Sequence, residues 1–403
     1  MSANGLAPSA GDFAQAADHL YRGRLAAADG FCRRGLAAAP SDAAGLNLLG
    51  CVATLAGLGE PAVRAFRAAL PLAAARDNLA LLAGLEPPPP RREPGFVLIK
   101  SWGYGFCAEL AHVLGCLLLA EITGRTPLVQ WGRRCLFGDG AAEGFSRFFE
   151  PVSAAGLDDL RALGSPGLFP AGWSLETLED DRPPARPGQG PAALEFLARP
   201  ETILVCDAFI GIADLAPWIP PGHRLHGLPL PACIKALADA WLKPRPEIAA
   251  AAAAFRREHL AGGPVLAVHL RGSDKVLEVP EVAEANRRCL ALIDAGPADW
   301  RLFLMTDDAA LARALRARYG GRLVMTDSLR TAGATGIHYH DDADGLVLGR
   351  EVMVDLLLAL EAERFIGNGR SNVSALIEAL RSAAGRDSAL VLENQLYLPT
   401  CFL

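Results

Sequence analysis

The stretch Pro264-Val-Leu-Ala-Val-His269-Leu-Arg271-Gly-Ser-Asp274-Lys275 decides how the second half of the chain folds. Its apolar run follows two glycines and ends in a cluster of charged residues. Such a run is typical of a strand that is buried on both faces of a parallel sheet. In open α/β sheets, ligands bind outside the carboxyl ends of the strands. Arg271 and Lys275 would then meet an anionic ligand. A strand that runs into a charged surface turn would give the same pattern.

The overall composition is that of a globular protein. The chain has 403 residues, of which 51% are hydrophobic and 21% are charged. This length suffices for two or three domains with sizeable cores. The formal net charge of −6 argues against a nucleic-acid partner, because such a partner requires a basic face.

The nine cysteines include no C-x-x-C pair, so neither a zinc ribbon nor a disulfide framework is indicated. We expect most of them to be small buried groups in a reducing compartment.

The N-terminus lacks a basic region followed by an apolar core, so no signal peptide is predicted. The longest apolar stretches, 113–122 and 353–360, are too short to span a bilayer. We therefore expect a cytoplasmic protein without a transmembrane segment.

Residues 13–85 are rich in Ala and Leu and repeat at a fixed spacing. Three positions recur 34 residues later, Ala28, Cys32 and Gly35 as Ala62, Phe66 and Ala69. This period, with small residues where two helices cross, resembles the tetratricopeptide repeat. An ordinary Ala-rich helical bundle is the alternative. A short array would bind a protein partner or cap the next domain.

The proline-rich segment 86–94 marks a domain boundary, because proline removes backbone donors and ends both flanking elements. After it, a strand at 95–100, a helix at 107–123 and a strand at 127–131 form a βαβ opening. Gly103 and Gly105 in its first turn would let backbone amides approach a ligand at the helix N-terminus, although tight turns need glycine for steric reasons as well.

The region 132–235 gives weaker signals. Short helices are predicted at 140–149 and 192–197, and a strand at 202–206. From residue 244 onward, strands and helices alternate, which predicts a doubly wound and mostly parallel sheet. The predicted elements are a helix at 244–259, a strand at 264–270, a helix at 281–293, a strand at 301–305, a helix at 309–318, a strand at 322–325, a helix at 349–362, a strand at 364–366, a helix at 372–383 and a strand at 389–392. We expect a helical domain at 1–88 and α/β domains at 89–240 and 241–403.

Further polar residues lie where these strands end. Asp307 and Asp308 follow one strand, Asp355 lies on a helix, and Ser371 and Asn372 open another helix. Because the carboxyl ends of parallel strands meet at one edge, these residues should converge. Helix-terminal amides and a hydroxyl can donate to phosphate oxygens, and carboxylates commonly accept from ribose or base. As alternatives, these aspartates and the serine could be helix caps, and Asp355 a buried acid paired to a backbone donor.

Four segments, in order, resemble one family. His269-Leu-Arg271-Gly-Ser-Asp274-Lys275 resembles the H-V-R-R-T-D-K motif of α1,6-fucosyltransferases, which include core-fucosylating and bacterial nodulation-factor enzymes. The other similar segments are 103–113 (G-Y-G-C-x-L-H-H-V in the family), 145–153 (F-x-P-V-S) and 306–308 (T-D-D). Asp355 precedes Ser371 by 16 positions, as in the family. The resemblance covers roughly residues 95–403, with a weak middle.

The resemblance implies a GT-B fold, in which two Rossmann-like domains face each other across a cleft, here behind a tetratricopeptide-like domain. Domain 241–403 would hold the donor GDP-fucose, and domain 89–240 would shape the side of the glycan acceptor. No metal or other cofactor is expected. By position, the resemblance implies that Arg271 binds the diphosphate, that His269 lies beside the nucleotide and that Ser371 binds a phosphate. Guanine or ribose would be bound by Asp307, Asp308 and Asp355. The remaining expected donor-binding residues are Asn372, Gly103, Tyr104 and Gly105. Asp274 and Lys275 join Arg271 as expected catalytic residues.

Two departures from the family pattern concern catalysis. The second Arg of the family motif is Gly272 here, which removes one cation from the phosphate or acceptor side. The family's candidate base is a Glu shortly after the motif, and Glu278 stands one position early, with Glu281 as the other nearby choice. The base must reach the acceptor hydroxyl.

The segment His338-Tyr-His340-Asp341-Asp342 suggests a metal site, but a polar loop explains it as well, and we predict no metal. We predict an inverting, metal-independent glycosyltransferase that transfers fucose from GDP-fucose to a glycan hydroxyl. Alternatives are the same fold with another nucleotide sugar or a protein hydroxyl as acceptor. A scaffold that has lost catalysis and binds a partner through its repeats is a further alternative.

Overall fold

The structure is a computed structural model that describes residues 8–21, 24–56, 58–84, 95–133, 135–140, 143–181, 193–197, 199–272, 281–333, 336–337 and 344–392. Within these ranges, helices at the N-terminus precede two α/β units, each of which is built on a parallel sheet. This arrangement confirms the α/β class with parallel sheets that the alternating pattern predicts.

The N-terminal helices are α1 (Pro8–Tyr21), α2 (Leu25–Ala38), α3 (Ala43–Leu55), α4 (Gly59–Ala68) and α5 (Ala73–Gly84). Each packs against the next along the chain. Glycine permits the close approach: a Cβ atom at Gly35 or Gly45 would lie 2.5 or 2.3 Å from the ring of Phe13. Asn78 donates to Asn47 across a buried contact of 2.9 Å between α5 and α3. The six positions that recur in the sequence are all buried.

The first α/β unit contains β1 (Phe96–Lys100), α6 (Phe106–Thr123), β2 (Thr126–Gln130), α7 (Leu157–Arg161), β3 (Leu168–Phe169), α8 (Ala193–Leu197), β4 (Ile203–Cys206) and α9 (Ile212–Leu215). Its four strands are parallel and lie in the order β2-β1-β4-β3. The two central strands are buried along their whole length, as expected for strands covered on both faces. Helix α6 ends at Gly124, which adopts the left-handed conformation that glycine favours.

The second unit contains α10 (Leu230–Trp241), α11 (Pro246–Phe255), β5 (Val265–His269), α12 (Glu281–Asp294), β6 (Arg301–Met305), α13 (Ala309–Tyr319), β7 (Leu323–Val324), α14 (Gly345–Glu361), β8 (Arg364–Gly367), α15 (Asn372–Ala383) and β9 (Asp387–Leu390). Its strands are parallel in the order β7-β6-β5-β8-β9. The apolar run Val265–His269 therefore forms the central strand, and its carboxyl end lies between those of β6 and β8.

The two units pack against each other through α6, α10, α15 and the start of α14. Gly345 and Gly349 permit the contact of α14, because a Cβ atom at either would lie 2.4 Å from Leu136 O or from the Phe148 ring. By length and composition, α6 is the one helix in the described ranges that could cross a membrane. It lies in the core with 89% of its residues buried, and buried core helices meet the same criterion.

Arg381 joins three elements of the second unit. Its buried guanidinium donates to the carbonyl oxygens of Ala359, Leu360 and Ala362 at the end of α14. It also donates to the carbonyl of Glu363, just before β8, and to the Asp387 carbonyl and the Ser388 hydroxyl in β9. The last carbonyls of a helix have no partner within it, so this side chain supplies the donors. Burial lowers its pKa to about 10.

Several predicted boundaries need correction. In the described part of the predicted helix at 140–149, residues 140 and 143–149, the structure has a 3₁₀ turn, Phe145–Arg147. Glu143 takes up the amides of Phe145 and Ser146, and Gly140 has φ of +78°. Helix α14 begins four residues early, since Asp344 caps it. Strand β9 begins two residues early, and α10 was not predicted. The linker 86–94 lies outside the described residues.

Candidate active site

A cleft of about 350 Å³ lies between the two α/β units, a size typical of ligand pockets. The first unit contributes the turn after β1 and the start of α6. The second contributes the carboxyl ends of β5, β6 and β8 together with one face of α14. From the predicted site the cleft-lining residues are Tyr104, Gly105, His269, Arg271, Asp307, Asp355, Ser371 and Asn372. The strand ends thus converge as the parallel topology predicts.

Arg271 and Asp307 form an ion pair at the ends of adjacent strands. Arg271 Nη1 lies 2.7 Å from Asp307 Oδ2, with side chains that are 18% and 9% exposed. The other carboxylate oxygen, Oδ1, accepts from the amide of Gly272 at 3.0 Å. A charge-assisted pair in a partly buried position fixes both groups. It also means that the charge of Arg271 is largely balanced in the absence of a ligand.

Asp308 has a structural role that the donor-binding prediction did not assign to it. Its Oδ1 accepts from the amides of Ala310 and Leu311 at 2.7 and 3.0 Å and so caps α13. It is not among the residues that line the cleft. The cap alternative therefore describes Asp308 in this structure, and its contact with guanine or ribose stays a prediction. Its side chain also fills the space beside Gly272, where a Cβ atom would lie 2.4 Å from Asp308 Cβ.

His269 is buried at the end of β5, and its Nδ1 lies 2.7 Å from the hydroxyl of Ser374. Burial, followed by the nearby Arg271 guanidinium, lowers the pKa of His269 to about 4. The ring is therefore neutral near pH 7 and can exchange hydrogen bonds with a ligand without adding positive charge.

Two carboxylates on α14 face the cleft from neighbouring turns of the helix. Asp355 Oδ1 accepts from the Thr326 hydroxyl at 2.7 Å, and burial raises the pKa of Asp355 to about 7. Glu351 Oε2 accepts from the amide of Leu329 at 3.0 Å, and burial raises its pKa as well. Glu351 was not predicted. Its position four residues before Asp355, on the same helix face, is the signal that could have found it.

In the turn after β1, the amide of Gly103 points to a carboxylate of the protein, and Gly103 is not among the residues that line the cleft. The amides of Trp102, Gly103 and Tyr104 donate to the Glu109 carboxylate at 3.1, 2.7 and 3.0 Å, and the Ser101 hydroxyl donates to it at 2.9 Å. These three amides are therefore occupied by the protein itself. Burial raises the pKa of Glu109 to about 7, against the lowering effect of these donors.

Trp102 forms an aromatic wall on this side of the cleft. Its ring lies 4.1 Å from that of Tyr104 and 4.8 Å from that of Phe209, measured between centroids. Its side chain lines the cleft and is 8% exposed, and the indole Nε1 has no acceptor within the described part of the chain. A buried indole N–H usually has a partner. Sugar rings have both the apolar faces and the hydroxyl acceptors that such a side chain can bind.

The loop before α15 supplies the remaining polar wall. Ser371 occupies the N-cap position, but its hydroxyl makes no capping hydrogen bond, in contrast to the cap alternative. Ser371, Asn372 and Val373 line the cleft at this helix start. Amides in the first turn of a helix lack intrahelical partners and carry partial positive charge. They can therefore donate to an anionic group in the cleft.

Three predicted catalytic residues, Asp274, Lys275 and Glu278, lie outside the described residues, as does the segment 338–342. Glu281, the other predicted choice of base, opens α12 and is exposed. Within the described ranges, no group of three or more His, Cys, Asp or Glu side chains could hold a metal ion.

No protein-family profile matches the chain. Over 266 residues it is 25% identical to nodulation protein Z of Bradyrhizobium diazoefficiens, an alignment that covers 60% of this chain and 66% of that protein. Among solved structures, NodZ α-1,6-fucosyltransferase co-crystallised with GDP is 21% identical with a TM-score of 0.48, covering 71% of this chain and 92% of that one. POFUT1 in complex with GDP is 14% identical with a TM-score of 0.43, covering 74% and 98% of the two chains. The sequence match thus extends over just under two thirds of nodulation protein Z.

Proposed function

We propose that this protein is a glycosyltransferase that transfers fucose from GDP-fucose to a glycan hydroxyl. The observation that carries the proposal is the convergence of Arg271 and Asp307, at adjacent strand ends, with the uncapped start of α15. A guanidinium and helix-terminal amides form a site for a diphosphate. The sequence similarity to nodulation protein Z, which is described as an α-1,6-fucosyltransferase, supports the choice of fucose.

The neighbouring groups suit the rest of a nucleotide. The carboxylates of Asp355 and Glu351 can accept hydrogen bonds from ribose hydroxyls or from the N–H groups of guanine. Neutral His269 can exchange hydrogen bonds with the nucleotide without adding positive charge to the site. Trp102 and Tyr104 face this site from the first unit and would hold the transferred sugar or the acceptor. The whole arrangement is of GT-B type.

The proposed reaction is a single displacement that inverts the anomeric centre. The bond from C1 of fucose to the β-phosphate oxygen breaks, and its electron pair leaves on GDP. The acceptor oxygen forms the new bond to C1 and gives its proton to a carboxylate of the protein, for which Glu278 remains the proposed base. Arg271 and the α15 amides stabilise the departing diphosphate, so the proposed reaction needs no metal.

Calorimetric titration of the whole protein with GDP, GDP-fucose, GDP-mannose and UDP, each with and without EDTA, tests this proposal. We expect GDP to bind with a Kd that EDTA does not change, and GDP-fucose to bind more tightly than GDP-mannose. Tighter binding of UDP would contradict the donor. Absence of binding by every nucleotide would favour the alternative of a scaffold that binds a partner through tetratricopeptide-like repeats.

Arg271→Ala should lower GDP affinity by roughly 10- to 100-fold, the range for losing a hydrogen bond to a charged group. Because this variant removes the cation that faces Asp307, the double variant Arg271→Gln with Asp307→Asn keeps a neutral hydrogen-bonded pair as a second test. Arg316→Ala, at an exposed position of α13, is the control. GDP binding by both Arg271 variants at wild-type affinity would refute the assignment of the site.

A further inference from the structure

Arg370 lies on the loop that follows β8 and lines the same cleft as Arg271. In the sheet, β8 is the direct neighbour of β5, so the loops after these strands are adjacent. The Nη1 atom of Arg370 is buried, yet it has no hydrogen-bond acceptor within the described part of the chain. A buried guanidinium N–H without a partner is costly, and a ligand with acceptor oxygens would satisfy it.

The charges at these strand ends single out Arg370. Asp307 already balances Arg271 across 2.7 Å. Arg370, by contrast, has no carboxylate partner among the ion pairs of the described residues. His269 is neutral because burial and the nearby Arg271 lower its pKa to about 4. Among the described residues at the ends of β5 and β8, Arg370 is therefore the cation without a carboxylate partner.

Hydrogen bonds within the loop fix the backbone at Arg370 before any ligand binds. The amide of Arg370 donates to the side-chain oxygen of Asn368 at 2.9 Å, and the amide of Ser371 donates to the Asn368 carbonyl at 3.1 Å. The amide of Gly369 donates to the carbonyl of Leu392 at 3.1 Å, just past β9. Such preorganisation lowers the entropy that a ligand must remove on binding.

Position 272 is closed to a second cation. A Cβ atom on Gly272 would lie 2.4 Å from Asp308 Cβ, and that carboxylate is held by two amides of α13. A long side chain therefore cannot leave the backbone here unless the cap moves. Among the loops that the structure describes, the one after β8 places a second guanidinium, that of Arg370, at the cleft that Arg271 lines.

We propose that Arg370 is the second guanidinium of the donor site and binds the diphosphate of the nucleotide sugar together with Arg271. Two guanidiniums and the amides of α15 then surround a group that carries two to three negative charges. Each guanidinium can donate two parallel hydrogen bonds to phosphate oxygens. The inference rests on the proposed function for the identity of the nucleoside, but the role of Arg370 concerns the diphosphate alone.

The test is calorimetric titration of wild type, Arg370→Gln and Arg370→Lys with GDP, guanosine and UDP. We expect Arg370→Gln to weaken GDP binding roughly 10- to 100-fold and to leave guanosine affinity unchanged, because only the diphosphate contact is lost. Arg370→Lys should recover part of the lost GDP affinity, since its ammonium keeps the positive charge but cannot donate two parallel hydrogen bonds. Arg316→Gln, the same chemical change at an exposed site, is the control.

The outcomes separate this inference from the proposed function. GDP binding by Arg370→Gln at wild-type affinity would overturn the inference and leave the donor proposal standing. An equal loss for guanosine would also overturn it, since Arg370 would then shape the base pocket. Binding of UDP as tight as GDP, with the same loss in Arg370→Gln, would support the inference and contradict the guanine donor. Absence of binding by any of these ligands to wild type would overturn both.

Discussion

Gly272→Ala gives the sharpest test of how the site is packed. The added methyl group would lie 2.4 Å from Asp308 Cβ and 2.6 Å from its Oδ2, more than 1 Å closer than carbon atoms normally approach. Rotation of the Asp308 side chain cannot relieve the first contact, because Cβ is fixed to the backbone. The backbone of one of the two loops must therefore move, and Asp308 must loosen its hold on α13. Overpacking of this kind costs about 1–3 kcal/mol.

The measurement is hydrogen exchange, read by mass spectrometry, on a peptide that covers the start of α13. Asp308→Gly alone should cost only a few tenths of a kcal/mol, because glycine is itself a fair N-cap. In the double variant, Asp308→Gly removes the Cβ atom that obstructs the methyl group of Gly272→Ala. The double variant should therefore lose about 1 kcal/mol less stability than the two single variants lose together. Gly263→Ala is the control, since its Cβ atom would meet nothing within 4 Å. Additive effects within about 0.5 kcal/mol would refute the steric reasoning.

Two further predictions concern the second unit. Burial raises the pKa of Asp355 from 3.8 to about 7. Between these pH values the folded protein binds a proton that the unfolded chain does not. The contribution of Asp355 therefore lowers the free energy of unfolding more and more as pH rises. The stability of Asp355→Asn relative to wild type should therefore increase between pH 5 and pH 7, by up to about 1.4 kcal/mol per pH unit. A difference in Tm between variant and wild type that is the same at pH 5 and at pH 7 would contradict this. Arg381→Met should lower the free energy of unfolding by about 3–5 kcal/mol, because several buried carbonyls lose their donor. The Tm of Arg381→Met tests this, and a value within about 1 °C of wild type would refute it.

The parallel sheets could be predicted because their strands are short apolar runs between breakers. The run at β5 begins after two glycines and ends at a charged cluster, so its position in the centre of a sheet followed from burial alone. Helix α10 was not predicted: Pro229 precedes it and Pro231 lies in its first turn, and the region 132–235 is rich in prolines and glycines that indicate loops. Proline is favoured in the first turn of a helix, and Ile234, Leu237 and Trp241 then follow at helical spacing.

The site was only partly predictable, because a sequence does not show which group a polar residue faces. A carboxylate after a strand suits a ligand and a helix cap equally well, and the structure assigns the cap to Asp308 while Asp307 pairs with Arg271. The role of Glu109 depends on a contact between a turn and the helix after it. An acidic residue within the apolar start of α6 was a visible signal, since a buried carboxylate needs donors.

The carboxylate of Glu109 has a consequence for how such an enzyme could diversify. By taking up the amides of Trp102, Gly103 and Tyr104, it removes these three donors of the first unit from anion recognition. In a transferase of the proposed kind, the nucleotide would then remain on one half of the protein while acceptors exchange on the other. Substitutions in the first unit could change which glycan is modified without altering donor affinity. New acceptor specificities would then evolve without loss of the shared donor.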